Sequence, residues 1–244
     1  MNPEPLEMVP EDWDRALAIV AHPDDMEYGA ASAVARWTAQ GKTVVYTLVT
    51  SGEAGIDAME PDEARRVRET EQVASAAVVG VDVVEFLGGA DGMLEYGLPL
   101  RRSLAAAIRR HRPDIVVTGN FRETFGPGAL NQADHIAVGR AALDAARDAA
   151  NRWVFRDLLD EGLEPWGGVR AVLAAGSPQP THGVDVTETL AKGVESLKAH
   201  AVYLGGLSQH MDPEEFLESF ARMTGTRLGC TFGVSFEVFP LQLF

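Results

Sequence analysis

Ala18-Ile19-Val20-Ala21-His22-Pro23-Asp24-Asp25 decides how this chain reads. Four apolar residues, two of them β-branched, run into an imidazole, a proline and two carboxylates, the pattern of a buried strand that ends where a helix begins. Working outward, residues 15–21 and 43–50 read as strands, and 28–40 between them as a helix stopped by Gly41. The unit then repeats. A helix over about 62–79 stops at Gly80, a strand covers 83–87, a helix over about 98–111 precedes Pro113, and a strand covers 115–119. Strands that are apolar nearly throughout and alternate with helices belong to a parallel sheet covered on both faces. Residues 136–151 continue as a helix, 169–175 as a strand, and 186–203 as a helix with a stripe at Leu190, Val194, Leu197 and Ala201. A helix over 213–223 and a strand over 234–241 close the chain. The expectation is one α/β domain over 1–244, Rossmann-like, with a mostly parallel sheet and helices on both faces.

In such sheets ligands sit beyond the carboxyl ends of the strands. Four polar or glycine-rich loops leave those ends: 22–25, Ser51-Gly52-Glu53-Ala54-Gly55, the loop carrying Asp91, and 120–132. They converge on one mouth.

Composition narrows the function classes. The 244 residues are enough for one well-buried core. A net charge of -15 opposes contact with phosphate backbones, so no nucleic-acid partner is expected. No stretch is apolar enough to span a bilayer, and the acidic first 13 residues lack the basic start and apolar run of a secretory signal, so no membrane and a cytoplasmic location are expected. The single cysteine, Cys230, leaves no internal disulfide and no pair of sulfur ligands. A homo-oligomer stays open.

The chemistry lies in the loops. A catalytic zinc takes three protein ligands and keeps a position open, and His22, Asp25 and the distant His135 form such a set. Pro23 fixes the start of the helix, so residues three apart turn back to one point, and the helix N-terminus favours an ionised Asp25. Ligand type alone leaves another divalent metal open. Asp24 stands beside the metal and suits a general base. Asp134 suits the acceptor of a ligating histidine's spare ring N–H, which fixes the tautomer. The tetrapeptide alone is more often a capped helix start. It is the second aspartate and the distant Asp134-His135 that shift the balance. No Gly-x-Ser-x-Gly elbow, Walker loop or Gly-x-Gly-x-x-Gly follows a strand, which removes the usual handles for serine hydrolases and nucleotide enzymes.

These motifs resemble the PIG-L/LmbE-like zinc-dependent N-deacetylases, which carry Ala-His-Pro-Asp-Asp after the first strand, here Ala21 to Asp25, with the following glycine at Gly29. Ser51 to Gly55, Arg68-x-x-Glu71, Asp91-Gly92-Met93 and Ala133-Asp134-His135 follow in the family's order. The resemblance implies His22, Asp25 and His135 as zinc ligands, Asp24 as catalytic base, and Arg68 and Asp91 as substrate contacts. The family's His-Pro-Asp-His reads Gln132-Ala133-Asp134-His135 here, so the position of a family histidine that helps the oxyanion or the leaving amine holds Gln132, which donates a hydrogen bond but no proton near neutrality. A tyrosine of some members is Leu130. Asn131 and His182 are the alternative donors.

The expected function is removal of an N-acetyl group from an amino sugar or an amino-sugar-containing metabolite. Two rivals stand beside it. One is a metal-dependent amidase for a thiol conjugate or other secondary-metabolite amide, with an apolar pocket around Phe121, Phe125 and Leu130. The other is a homologue that binds a small ligand without turnover.

Overall fold

Residues 16, 18 and 20 face one way from the first central strand and 17 and 19 the other, and every one of them is buried. Apolar side chains on both faces demand helices on both faces. The computed structural model, which describes residues 4–207 and 211–241, supplies them. In chain order the elements are β1 (Glu7–Met8), β2 (Arg15–Val20), α1 (Asp25–Gly29), α2 (Ala31–Ala39), β3 (Thr43–Thr50), α3 (Pro61–Val78), β4 (Val83–Gly89), α4 (Leu98–His111) and β5 (Ile115–Thr118). There follow β6 (Thr124–Gly126), β7 (Ala129–Leu130), α5 (Ala133–Asp148), α6 (Asp157–Asp160), β8 (Ala171–Ala175), β9 (His182–Asp185), α7 (Leu190–Lys198), α8 (Ala201–Gly206), α9 (Pro213–Leu228) and β10 (Gly233–Pro240).

Eight strands form one sheet in the order β1-β9-β10-β8-β5-β2-β3-β4, and β6 pairs with β7 in a separate hairpin. β2 is central: it runs parallel to β3 with Leu17 opposite Val45, and parallel to β5 with Leu17 opposite Val116. Within this sheet, among the described residues, β10 is the strand that runs antiparallel to its neighbours, β8 and β9. The mostly parallel α/β sheet expected from the sequence is therefore the one observed. On one face Ala16, Ala18 and Val20 pack with Val34 and Trp37 of α2 and Ala76 of α3. On the other, Leu17 and Ile19 pack with Leu104 and Ile108 of α4 and with Val138, Ala141 and Ala145 of α5. Truncating one such leucine to alanine costs about 2–5 kcal/mol. Among the described residues no helix is long and apolar enough to cross a membrane.

Three expected elements differ. The 28–40 helix is two helices, broken at Ala30, whose φ of -148° leaves the helical region. The 186–203 helix is also two, and a strand, β9, precedes it. The second break falls at His200, where the Glu71 carboxylate from α3 accepts the N–H groups of Val202 (2.6 Å) and Tyr203 (3.3 Å) and so starts α8 afresh. The last helix runs to Leu228, further than the 213–223 expected, and ends at Gly229 with φ 77°.

Candidate metal centre

β2 ends at Val20, and the chain turns at His22 and Pro23 into α1. Asp25, the first residue of α1, folds its side chain back onto this turn: Oδ2 accepts the N–H groups of Ala21 (3.0 Å) and His22 (2.9 Å). Oδ1 is left pointing at His135, 3.0 Å from its Nε2. His135 comes from the first turn of α5, beyond β5, the strand beside β2. Its Nε2 lies 3.2 Å from His22 Nδ1. One donor atom each from His22, Asp25 and His135 falls within 4.8 Å of the others.

The outward nitrogens decide what these donors hold. His22 Nε2 faces Asp91 Oδ1 at 3.0 Å and Asp134 Oδ2 at 3.4 Å, so it carries the proton and donates. His135 Nδ1 faces Asn131 Oδ1 at 2.9 Å and donates there. Both inward nitrogens then present lone pairs to each other, beside a carboxylate, an arrangement that repels itself unless a cation stands among them. Two imidazoles, a carboxylate and outward partners that fix both tautomers suit a zinc-type divalent ion. Burial works against a charged His22, yet hydrogen bonds to Asp134, Asp25 and Asp91 outweigh it and push its titration up to about 12. Burial likewise opposes the Asp25 carboxylate, and the facing His135 and His22 outweigh it, holding the carboxyl well below its usual range.

Asp24 does not share this point. Its φ of 81° is left-handed, a conformation that costs a residue with a side chain about 1–2 kcal/mol. Its N–H is held by Gln72 Oε1 at 2.9 Å and its carboxylate by Arg68 Nη2 at 3.0 Å, both from α3. The side chain makes no helix-capping bond, so this tetrapeptide is not a capped helix start. Arg68 is 3% exposed. It also donates to the carbonyls of Pro23 (2.7 Å) and Gly52 (3.0 Å), and its guanidinium lies 4.2 Å from the Tyr203 ring centre. Burial pushes the Asp24 carboxyl well above the usual range, with the Arg68 charge opposing. Gly52 has φ 64°, and a β-carbon there would stand 2.1 Å from Arg68 Nη1.

The remaining expected residues fall into two groups. Asp134 accepts the N–H groups of Gly92 (2.8 Å) and Leu94 (3.1 Å) besides facing His22. Asp91 accepts from Ala54 N at 2.8 Å. Asn131 spends its whole amide inside the protein: Nδ2 donates to the carbonyls of Asn120 and Arg122, and Oδ1 accepts from Gln132 N and His135. Arg68 and Asn131 thus hold Asp24 and His135 in place, and Arg68 Nε stays buried with no hydrogen-bond partner among the described residues. Gln132 is exposed at the N-cap of α5, its side chain unbonded among the described residues. His182 does not join the cluster. It lies on β9, four strand positions from β2, or about 19 Å at ~4.8 Å per strand. There it bonds to Thr181 Oγ1 at 2.8 Å and faces Glu7 at 3.6 Å.

Gln72 is a site residue that the sequence motifs do not flag, although Arg68, Glu71, Gln72 and Ser75 recur at the spacing of one helix face and all are buried.

Comparison with known proteins matches this arrangement to a family. The PIG-L model, described as GlcNAc-PI de-N-acetylase, matches residues 17–146, which hold the whole cluster. The diacetylchitobiose deacetylase of Thermococcus kodakarensis is 28% identical over 191 residues, covering 78% of this chain and 70% of the relative. The 1D-myo-inositol 2-acetamido-2-deoxy-alpha-D-glucopyranoside deacetylase of Acidothermus cellulolyticus is 29% identical, covering 78% of this chain and 80% of the relative. Among solved structures, the N,N'-diacetylchitobiose deacetylase of Pyrococcus horikoshii superposes with a TM-score of 0.85 at 24% identity, over 94% of this chain and 85% of its own. The 4-carboxy-2-hydroxymuconate hydratase GalB of Pseudomonas putida also superposes, with a TM-score of 0.75 at 18% identity over 95% of this chain and 98% of its own. A shared fold therefore does not name the reaction.

Proposed function

The chain belongs to the PIG-L family of GlcNAc-PI de-N-acetylases, and from that premise we propose that it hydrolyses the acetamide of an N-acetylated amino sugar or of a metabolite that contains one. It is a hydrolase of amide carbon–nitrogen bonds, as its sequence relatives are named deacetylases. The observation that carries the reading is the convergence of His22 Nδ1, Asp25 Oδ1 and His135 Nε2 with both histidine tautomers fixed from outside.

In this reading His22, Asp25 and His135 hold one zinc ion. The bound ion supplies Lewis acidity, which polarises the acetyl carbonyl and makes water more acidic. The chain's own residues do the rest. Asp24, one residue from the ligand Asp25 and fixed by Arg68 and Gln72, accepts a proton as water attacks the acetyl carbon. It returns that proton to the nitrogen as the carbon–nitrogen bond breaks, so acetate and a free amine leave. Gln132 offers its amide to the oxygen that gains charge. Asp91 and Asp134 keep the His22 ring turned, and Asn131 keeps the His135 ring turned.

The test is release of amine and acetate from N-acetylglucosamine and N,N'-diacetylchitobiose by the zinc-loaded protein. Turnover that falls by about 10²–10⁴ in Asp24→Asn, with zinc still bound, supports the reading. Zinc at one per chain with no acetate from a broad panel of N-acyl amines would instead favour the ligand-binding rival.

A further inference from the structure

A carboxylate and an imidazole are buried together in a part of the protein that the proposed reaction does not use, and one side chain links them to Asp24. Glu27, from α1, is 1% exposed, and His200, between α7 and α8, is 0% exposed. His200 Nε2 stands 3.7 Å from Glu27 Oε2. Neither of these atoms, nor His200 Nδ1, has a hydrogen-bond partner among the described residues. Glu27 Oε1 accepts from Ser75 Oγ at 2.7 Å and from Gln72 Nε2 at 3.0 Å, both on α3. Gln72 Oε1 in turn accepts the Asp24 N–H at 2.9 Å.

A buried pair of this kind adds little stability over apolar side chains of the same size, so its presence asks for another use. The direction of the hydrogen bonds supplies one. The Asp24 N–H can only donate, so the Gln72 amide turns its oxygen to it and its NH2 away. That NH2 then needs an acceptor inside the protein, where a donor left unpaired is costly. A carboxylate has no proton to give, so Glu27 supports this orientation of the amide and rejects the flipped one. What the string holds is a strained point: Asp24 has φ 81°, and a left-handed residue with a side chain persists where its surroundings fix it.

We propose that Glu27 is a positioning residue for Asp24, acting through Gln72: it fixes the amide, the amide fixes the Asp24 peptide, and the peptide sets where the Asp24 carboxylate stands. This deepens the deacetylase reading and rests on it. Two residues of α3 divide the task, Arg68 holding the Asp24 carboxylate and Gln72 its backbone. Glu27 lies two residues past Asp25 on the same short helix, so the string also ties α1 to α3 beside the site.

The experiment uses the zinc-loaded protein and three variants. Gln72→Met removes both ends of the string, and Gln72→Glu sets two carboxylates against each other. Gln72→Glu combined with Glu27→Gln swaps amide and carboxylate, so that a donor again faces an acceptor. Acetate release from N-acetylglucosamine and N,N'-diacetylchitobiose gives kcat and KM, and NMR gives the exchange rate of the Asp24 amide hydrogen. Both single variants lower kcat by about tenfold or more, the worth of one hydrogen bond, with KM and zinc content little changed. The Asp24 amide hydrogen exchanges faster by a similar factor. The swapped pair recovers most of both losses, which a merely structural role at either position would not produce. If a single variant does not fold, the swapped pair decides alone, and kcat near wild type upholds the proposal. Wild-type kcat in Gln72→Met overturns it, and so does a swapped pair that is no better than Gln72→Met or does not fold. If the wild type releases no acetate the deacetylase reading fails, and the amide hydrogen still decides the string. Exchange that quickens in Gln72→Met and slows again in the swapped pair upholds it, and equal exchange in all of them overturns it.

Discussion

Arg68 Nη2 lies 3.0 Å from Asp24 Oδ2, and both side chains are buried, at 3% and 7% exposure. A buried pair of this kind is costly to break on one side, because the partner left behind keeps a charge without a counter-charge. Arg68→Met should therefore destabilise the fold by about 3–5 kcal/mol and lower turnover sharply. Arg68→Lys keeps the charge and loses the fork that reaches the Pro23 and Gly52 carbonyls together with Asp24, so it should recover part of the stability and little of the activity. Thermal melting and kcat on the same preparations check both. A Met variant as stable and active as wild type would mean that Asp24 holds its position and its charge without Arg68.

The same guanidinium sets the requirement at Gly52. Its φ of 64° alone makes alanine unfavourable by about 1 kcal/mol, and the β-carbon 2.1 Å from Arg68 Nη1 adds displacement of the arginine. Gly41 provides the comparison: its φ is 86° and a β-carbon there meets nothing within 4 Å. Gly41→Ala should cost the backbone strain alone and leave kcat as it was, whereas Gly52→Ala should cost more and lose turnover as well. Equal losses of stability with equal kcat would show that Arg68 relaxes without consequence.

Much of this architecture is legible before any coordinates. The apolar runs of β2, β3 and β5 each carry enough local signal to place a buried parallel strand, and Gly41, Gly80 and Pro113 punctuate the helices between them. His22, Asp25 and His135 are legible as a group because an imidazole and two carboxylates at a strand end, matched by a distant Asp-His pair, is a donor set that a plain helix cap does not need. What escapes is whatever depends on partners remote in sequence. The break at His200 comes from a Glu71 carboxylate 131 residues from Val202, and nothing in the apolar stripe from Leu190 to Ala201 announces it. Gln72 and Arg68 sit among Arg65, Arg66 and Glu69, which on paper look like one solvated helix face. Only packing separates the buried residues from the exposed ones. His182 misleads for the converse reason, since a histidine beside a strand end looks available until the strand order puts β10, β8 and β5 between it and β2.

The ring of His22 hydrogen-bonds Asp134 Oδ2 through Nε2 at 3.4 Å, and the same nitrogen stands 3.0 Å from Asp91 Oδ1 in an ion-pair contact. Outer partners of ligating histidines are worth about 10–100-fold in metal affinity. Asp91→Ala should weaken zinc binding within that range, measured by competition with a chromophoric chelator, while saturating zinc restores a large part of the activity. His22→Ala should not be restored by any zinc concentration that leaves the protein soluble. If Asp91→Ala keeps full affinity and loses activity alone, Asp91 acts on the substrate and not on His22.

Gln132 opens α5 with an exposed amide, three residues before His135. In the arrangement usual for the family a histidine stands there, able to give a proton to the departing amine, and an amide offers only a hydrogen bond. If Asp24 alone moves the proton in this chain, that second acid is missing and its return should help. Gln132→His should then raise kcat by about tenfold or more near neutral pH, the lower end of what a positioned acid contributes, with zinc content unchanged. The position is exposed, so the change carries little risk to folding, and a melting curve that overlays wild type makes the kinetic comparison direct. Turnover that stays level or falls would mean that Gln132 already suits the substrate's oxyanion, and that the chain has settled on a mechanism with Asp24 as its single proton carrier.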